Sequence, residues 1–325
     1  MKTNGTLIRV LLTSAACFFS TGVVAQQWPT RAVRIIVPFP PGQGVDIVAR
    51  VLAERLSPVL GQQVIIDNRP GAGAALGTEI GAKAPPDGYT FVAGGSAALA
   101  INPHLYRKLG YDTLRDFAPV TQIAGVAYVF VVNPSLPVRD LKDYIGLAKR
   151  RPGELNYGSS GNGSTSHLVT AALATRTGIT LNHVPYKGAV QALTDLISGQ
   201  LTLVAEVPPT VIPHIQAKRM RPIAISMIKR IPQLPDVPTV DEQGVQGYDL
   251  NTWNSLVAPA GTPVVILDRL NKEVTNIIAR PDVQTRLVEL GFIPVGSSRE
   301  EFDGFLKAEY AKWAKIVQAS GAKVE

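Results

Sequence analysis

Short apolar blocks alternate along the chain with longer stretches in which apolar positions recur every three or four residues. The blocks predict buried strands, and the longer stretches predict amphipathic helices. In the first part of the chain we expect strands over 33–37, 64–67 and 90–93, with helices over 45–60 and 76–84. Strands that alternate with helices in this way favour parallel βαβ units.

A second alternating series follows. Strands are predicted over 126–132, 156–157, 182–184, 201–205 and 222–226, and helices over 141–149, 165–177, 189–198 and 211–217. A strand over 256–258 and helices over 264–279 and from 299 onward return to the first series. The pattern predicts an α/β protein of two lobes, each a mixed sheet flanked by helices and joined by crossing strands. We expect lobe 1 to comprise 26–125 and 248–325 and lobe 2 to comprise 126–247, with the ligand cleft between them.

The first 25 residues have the features of a secretory signal peptide. Lys2 and Arg9 precede an apolar run, and the small residues Val23–Ala25 provide a cleavage site. A retained N-terminal anchor is the main alternative. Cys17 is the only cysteine, so removal of the signal leaves no disulfide, which fits a bacterial periplasmic protein. Basic residues exceed acidic ones, 32 to 25, but they are scattered, which argues against nucleic-acid binding.

The motifs of several enzyme classes are missing or incomplete. Gly158-Ser159-Ser160-Gly161 lacks the spacing of a nucleophile elbow, and no phosphate-binding loop of the Gly-x4-Gly-Lys type is present. The run Gly71–Gly77 resembles a dinucleotide fingerprint, but Leu76 occupies the third glycine position. We interpret it as a glycine turn that packs a helix tightly on a sheet. The four histidines lack metal-ligand spacing, so we expect neither a metal nor another cofactor.

The first candidate for ligand binding is the junction between the first strand and its helix. Prolines fix this loop before a ligand arrives, and glycines allow close backbone approach. The start of a helix leaves N–H groups free, and with the helix dipole they favour an anion. The candidate ligand-binding residues here are Phe39, Pro40, Pro41, Gly42, Gln43, Gly44 and Asp46. For Asp46 we favour a structural role, because a carboxylate would repel an acidic ligand.

A second junction of the same kind opens the helix from residue 165. Its hydroxyls are neutral donors that can hold a carboxylate without a buried counter-charge. The candidates are Ser159, Ser160, Gly161, Ser164, Thr165 and His167, together with Ser96 and Tyr186 at the ends of other strands. For His167 a satisfied core position is an equal alternative, and for Ser96 a plain turn. Two such helix starts, far apart in sequence, predict one small acidic ligand held between two lobes.

The order of motifs along the chain adds a resemblance. The chain contains, in order, Trp28–Arg31, Ile36–Gly42, Asn68–Gly73, Pro86–Thr90, Ile101–Pro103, Asp116–Val120, Tyr157–Gly161, Val184–Gly188 and Ala258–Pro263. With these motifs it resembles the Bug family, the periplasmic solute-binding proteins of tripartite tricarboxylate transporters. The resemblance implies a non-enzymatic, monomeric protein with a periplasmic-binding-protein-like fold. It also implies that the loops 38–46 and 159–167 pinch a carboxylate, which the protein delivers to membrane permease subunits.

Three positions depart from the family pattern. Gln43 stands where glycine is usual, and Thr202 and Glu206 stand where we expect aspartates. An aspartate facing the cleft would suit an amine-bearing ligand. Thr202 therefore weakens the assignment of an amino acid as the ligand, and Glu206 partly restores it. We expect a di- or tricarboxylate or an aromatic carboxylate, and we include Glu206 among the ligand-binding candidates. A carboxylate sensor that feeds a signalling partner and a secreted hydrolase are the alternative functions.

Overall fold

A computed structural model describes residues 28–324, which form two β-sheets flanked by helices. The predicted signal peptide lies outside the described residues. The strands are Val33–Val37 (β1), Val64–Asn68 (β2), Thr90–Gly95 (β3), Phe117–Val126 (β4), Val129–Val132 (β5), Asn156–Ser159 (β6), Asn182–Pro185 (β7), Leu203–Glu206 (β8), Arg221–Ile225 (β9), Thr252–Pro259 (β10) and Ile293–Pro294 (β11).

Most of the helices connect successive strands. They are Gly44–Leu60 (α1), Ala75–Ala82 (α2), Asn102–Leu105 (α3), Thr113–Asp116 (α4), Leu141–Arg150 (α5), Thr165–Thr177 (α6), Ala189–Ile197 (α7), Pro208–Gln216 (α8), Val264–Ile278 (α9), Pro281–Glu289 (α10) and Arg299–Ser320 (α11). A short 3₁₀ turn, Ala72–Ala74, precedes α2, and a π-helical turn, Ala97–Ile101, precedes α3. No helix between residues 28 and 324 is long and apolar enough to cross a membrane.

Both sheets are mixed, as expected. The first has the order β11-β4-β10-β3-β1-β2, in which β1 runs parallel to β2 and β3 while β10 runs antiparallel to β3 and β4. The second has the order β7-β6-β8-β5-β9, in which β6 runs parallel to β7 and β8 while β5 runs antiparallel to β8 and β9. The predicted α/β class is therefore confirmed, whereas the exact lobe boundaries stay a prediction.

The core follows the alternation of the strands and the apolar faces of the helices. Ile35 and Phe91 lie in an apolar cluster with α1 and α9, while Ile36 and Val92 lie in a cluster on the other face of the same sheet. The helix α11 buries Phe302, Trp313 and Val317. These large side chains recur at helical spacing and form a packing face.

One predicted strand is wrong. The apolar run 126–132 reads as a single strand, but Val126 ends β4 in the first sheet and Val129 begins β5 in the second. Ala127 and Tyr128 carry the chain from one sheet to the other, and both are buried. Apolar residues continue through the crossing because it lies in the interior, so hydrophobicity alone does not reveal the break.

Other differences concern the ends of elements. The helix α8 begins at Pro208, before the predicted 211, because proline is well tolerated at the first helical position. The helix α10 was not predicted and begins in the same way, at Pro281. The strand β8 begins at Leu203 and extends to Glu206, so Thr202 precedes it.

Candidate functional site

The loop between β1 and α1 ends in a helix start with free donors. Gln43 is the N-cap and makes no side-chain capping bond. The first hydrogen bond of the helix is donated by the N–H of Ile47 to the carbonyl of Gln43, at 2.9 Å. Within residues 28–324, the N–H groups of Gly44, Val45 and Asp46 have no protein acceptor. They therefore remain available to an anion.

Asp46 holds this loop in shape. Its Oδ2 accepts from the N–H of Gly42 at 2.8 Å and from Nε of Arg50 at 2.9 Å, and its Oδ1 accepts from Nδ2 of Asn68 at 2.8 Å. The same amide donates to the carbonyl of Phe39 at 3.0 Å. Burial raises the pKa of Asp46, but the hydrogen bonds from Arg50, Gly42 and Asn68 outweigh burial and leave it below its usual value. These contacts give Asp46 the structural role that we favoured.

The start of α6 has a similar set of donors. Ser164 is the N-cap, and its Oγ accepts from the N–H of His167 at 3.3 Å and donates to the carbonyl of Gly161 at 2.7 Å. The N–H groups of Thr165 and Ser166 have no acceptor in the described part of the protein. Both helix starts thus offer unpaired N–H groups, as the sequence predicted.

Hydroxyl groups stabilise the loop before α6. Oγ of Ser166 accepts from the N–H of Ser160 and lies 2.9 Å from its hydroxyl. Ser159 is fully buried, and its Oγ accepts from the N–H of Gly161 and lies 2.7 Å from Nε2 of His183. Gly161 has φ +141°, a conformation that a side chain would strain. This part of the loop is therefore preorganised before a ligand binds.

His167 belongs to a stack of three rings. Its ring lies 3.9 Å from that of His183, at an interplanar angle of 7°, and the Tyr157 ring lies 4.8 Å from His183 and 6.3 Å from His167. Nδ1 of His167 accepts from the N–H of Gly163 at 3.0 Å, which fixes the loop. Burial, and then the neighbouring His183, lower the pKa of His167 to about 4, so the ring is neutral near pH 7. Its direct contact with a ligand stays a prediction.

Glu206 ends β8 and is 5% exposed. Burial raises its pKa to about 7, against the opposing effects of the Val207 N–H and of the hydroxyls of Ser160 and Ser166. The parallel register of β6 and β8 pairs Gly158 with Val204, so Glu206 lies at the same edge of the sheet as Ser160 and the loop that leads to α6. No Lys, Arg or His among residues 28–324 forms an ion pair with it.

Several contacts connect segments near the two helix starts with other elements. The ring of Phe292 lies against Gly44 of α1, and the adjacent Gly291 lies against Pro209, close to the end of β8. On the other side of the α6 loop, Gly163 lies against Leu105, the last residue of α3. Elements of the first sheet therefore contact the segments that flank Glu206 and the start of α6.

Two other candidates have protein partners. Oγ of Ser96 is buried and accepts from the N–H of Trp253 at 2.9 Å. The hydroxyl of Tyr186 donates to Asp195 at 2.6 Å, on α7. Their contacts with a ligand stay predictions.

Thr202 has protein partners. Its hydroxyl donates to the carbonyl of Asn156 at 2.8 Å and lies 3.1 Å from the hydroxyl of Tyr144. It precedes β8, at the opposite end of the strand from Glu206. Its bearing on an amine-bearing ligand stays a prediction.

Sequence reasoning missed Asn254 on β10. It pairs with Gly95 at the carboxyl end of β3 and is 6% exposed, yet its Nδ2 has no hydrogen-bond partner. A buried amide without a partner is costly, so it is a candidate donor to a ligand or to water. Asn254 precedes the predicted strand over 256–258, so the hydrophobic pattern gave no signal for it.

Three grooves mark the described surface, and none of the three is lined by both helix starts. One of about 690 Å³ separates α1 from α10, and others of about 450 Å³ and 430 Å³ border α6 and α11. The smallest of these is lined in part by Tyr157, His167 and His183. A cavity shared by the starts of α1 and α6 stays a prediction.

Comparison with known proteins decides the family. Residues 48–322 match the model of the tripartite tricarboxylate transporter family receptor. The chain belongs to this family. The receptor is 36% identical to the protein BugT of Bordetella pertussis over 93% of each chain, which confirms the resemblance to Bug proteins. The family consists of solute-binding receptors and not of enzymes.

Solved structures of similar proteins support the same fold. The structure of R. palustris Rpa4515 with adipate is 40% identical, with a TM-score of 0.79, and the match covers 91% of the receptor and 100% of that chain. MatC of Rhodopseudomonas palustris with bound malate is 30% identical, with a TM-score of 0.74 and coverages of 89% and 99%. The two-lobed fold of periplasmic solute-binding proteins, as predicted, is confirmed.

Proposed function

We propose that this receptor is periplasmic, binds a small organic carboxylate between the starts of α1 and α6, and delivers it to the membrane permease subunits of a tripartite transporter. One observation carries the proposal: both helix starts have unpaired N–H groups, and the loops before them are already fixed by internal hydrogen bonds. Donors that are ordered in advance bind an anion at a low entropic cost.

The ligand class follows from charge and from similar proteins. Asp46 is already paired, and hydroxyls and amides rather than cations surround the start of α6. Such a site holds a carboxylate through hydrogen bonds alone. Two similar proteins have solved structures with adipate and with malate, both dicarboxylates. We therefore favour a dicarboxylate among the organic acids that the sequence allowed.

Proline substitution at the first helical position tests the helix starts directly. Proline lacks an N–H but fits this position, as Pro208 and Pro281 show in α8 and α10. Gln43 has ψ 161°, which is compatible with a following proline. Gly44→Pro is expected to raise the dissociation constant for the bound acid about tenfold or more, since one charge-assisted hydrogen bond is lost. Isothermal titration calorimetry measures the change.

Gly44→Ala is the matched control, because it keeps the N–H and its Cβ would lie 3.5 Å from Phe292, an ordinary contact. Thr165→Pro and Thr165→Ala form the equivalent pair at α6, where Ser164 has ψ 158°. A thermal-shift screen with adipate, malate, citrate, benzoate and L-glutamate identifies the ligand for these measurements. Equal affinities of the proline and alanine variants would show that the N–H groups at the helix starts do not bind the acid.

Delivery is tested separately. Uptake of the identified acid is measured in membrane vesicles that contain the permease subunits of a tripartite transporter. Uptake that requires the receptor supports transport. Binding without uptake, accompanied by activation of a neighbouring sensor kinase, would instead make the protein a carboxylate sensor.

A further inference from the structure

Glu206 presents an unusual combination for a site that binds anions. It lies at the carboxyl end of β8, beside the end of the parallel strand β6 that leads into α6, is almost fully buried and has no cationic partner among the described residues. An ionised carboxylate in this position would oppose the negative charge of the ligand. The carboxyl must therefore either pair with a cation on the ligand or lose its own charge.

The groups that face Glu206 do not supply a positive charge. Tyr128, at the crossing between the sheets, and the hydroxyls of Ser160, Thr165 and Ser166 are neutral near pH 7. On the elements packed against β8, the ionisable residues are paired or turned elsewhere. Tyr157 and His167 stack on His183, Arg176 donates to the carbonyl of Gly247, and Asp195 accepts from Tyr186. The strand β5 contains only apolar residues.

We propose that Glu206 is protonated in the bound state and donates a hydrogen bond to a carboxylate oxygen of the ligand, so that binding takes up a proton. This inference rests on the proposed function. A protonated carboxyl has one O–H donor, whereas its ionised form only accepts. The environment supports it, because burial raises the pKa of Glu206 to about 7 before any ligand is present. A bound anion then favours the protonated form further.

Glu206 would in this way select the chemistry of the ligand. A ligand with an acceptor oxygen at this position is favoured when Glu206 is protonated. A ligand with an ammonium group is favoured when Glu206 is ionised. The affinity for a carboxylate is therefore expected to fall as the pH rises above 7, by up to tenfold per pH unit.

Calorimetry with adipate tests this coupling. Titrations at pH 6, 7 and 8 in buffers with different ionisation enthalpies count the protons exchanged on binding. The wild-type receptor is expected to take up a fraction of a proton at pH 7 and close to one at pH 8. Glu206→Gln keeps a donor but cannot titrate, so its proton uptake is expected to vanish and its affinity to become nearly independent of pH. Glu300→Gln, the same change at an exposed position of α11, should leave uptake unchanged.

Several outcomes would overturn the inference. Adipate binding without proton uptake would refute it and leave the proposed function intact. Tight binding of L-glutamate with proton release, lost in Glu206→Gln, would assign the carboxylate to an ammonium group instead. Infrared difference spectra of the ligand-free receptor and Glu206→Gln provide a readout without a ligand: a protonated carboxyl band still absent at pH 6 would also refute the inference. If no acid in the screen binds, the proposed function fails and this inference fails with it.

Discussion

Two buried ionisable residues near the start of α6 respond to pH in opposite directions. Glu206 has a raised pKa, so the folded protein holds its proton where the unfolded chain has lost it, and folding stability falls as the pH rises from about 4.5 to about 7. His167 has a lowered pKa, so stability falls as the pH decreases from about 6.5 to about 4. The two effects act over the same interval and partly cancel.

Comparison of the wild type with a variant that lacks one of the two ionisable groups separates their effects on stability. In Glu206→Gln, the free energy of unfolding is expected to rise by about 3 kcal/mol relative to the wild type between pH 4.5 and pH 7.5, since a shift of one pKa unit corresponds to about 1.4 kcal/mol. Urea denaturation at four pH values measures this difference. A constant offset between the two proteins across the interval would contradict the assigned titration of Glu206.

The residue scale also shows what sequence can and cannot reveal. The capping role of Ser164 follows from its place before a predicted helix, and the structural role of Asp46 follows from charge repulsion with an acidic ligand. The burial of Glu206 and its raised pKa do not follow from its neighbours in sequence. Both depend on the packing of β6 and α6 against β8. Asn254 was missed for the same reason.

At the scale of elements, the glycine turn before α2 supports the first ligand loop. A Cβ on Gly77 would lie 2.4 Å from the carbonyl oxygen of Arg69 and 2.8 Å from Cα of Pro38. Only glycine allows α2 to approach the backbone this closely. The run Gly71–Gly77 is thus a glycine turn that packs the helix tightly, as we interpreted it. Gly77 contacts Pro38, the residue before Phe39.

Gly77→Ala is therefore expected to displace the loop that follows β1. We expect a loss of about 1–3 kcal/mol in stability from overpacking, together with weaker binding of the acid because Pro38 must move. Thermal denaturation and calorimetry measure the two effects. Gly304→Ala is the matched control in α11, where no atom lies within 4 Å of the added Cβ, and it should stabilise the protein by about 0.5–1 kcal/mol. Unchanged affinity in Gly77→Ala would separate the turn from the site.

Element types were predictable where periodicity was strong and uncertain where packing determined the ends. The helices α1, α6 and α9 match their predicted spans closely, because an apolar face and clear end signals agree. The helix α1 even continues through Pro58 in its last turn. The break between β4 and β5 was not predictable, since the crossing residues Ala127 and Tyr128 are as buried as the strands around them.

At the scale of the whole molecule, the crossings bring the two sheets together near the proposed site. Tyr128 donates its N–H to Oγ of Ser226 at 2.8 Å, and Leu250 donates its N–H to the carbonyl of the same serine at 2.9 Å. The segments around Tyr128 and Leu250 therefore both bind Ser226, the residue that follows β9. Because the charge of Glu206 also acts on Tyr128, one of these crossings adjoins the proposed site.

A ligand held by both helix starts must protect both from solvent at once, although they lie far apart in sequence. Hydrogen–deuterium exchange with saturating adipate is expected to slow exchange in peptides covering 44–48 and 165–168, because each contributes N–H groups to one anion. Peptides within 306–317 of α11 should not change. In Gly44→Pro, the loss of one contact weakens the binding of the shared ligand. Protection at 165–168 is therefore expected to fall at an adipate concentration close to the dissociation constant of the wild type. Protection that persists there in full would show that α6 binds the acid without α1, and the ligand would then belong to one lobe alone.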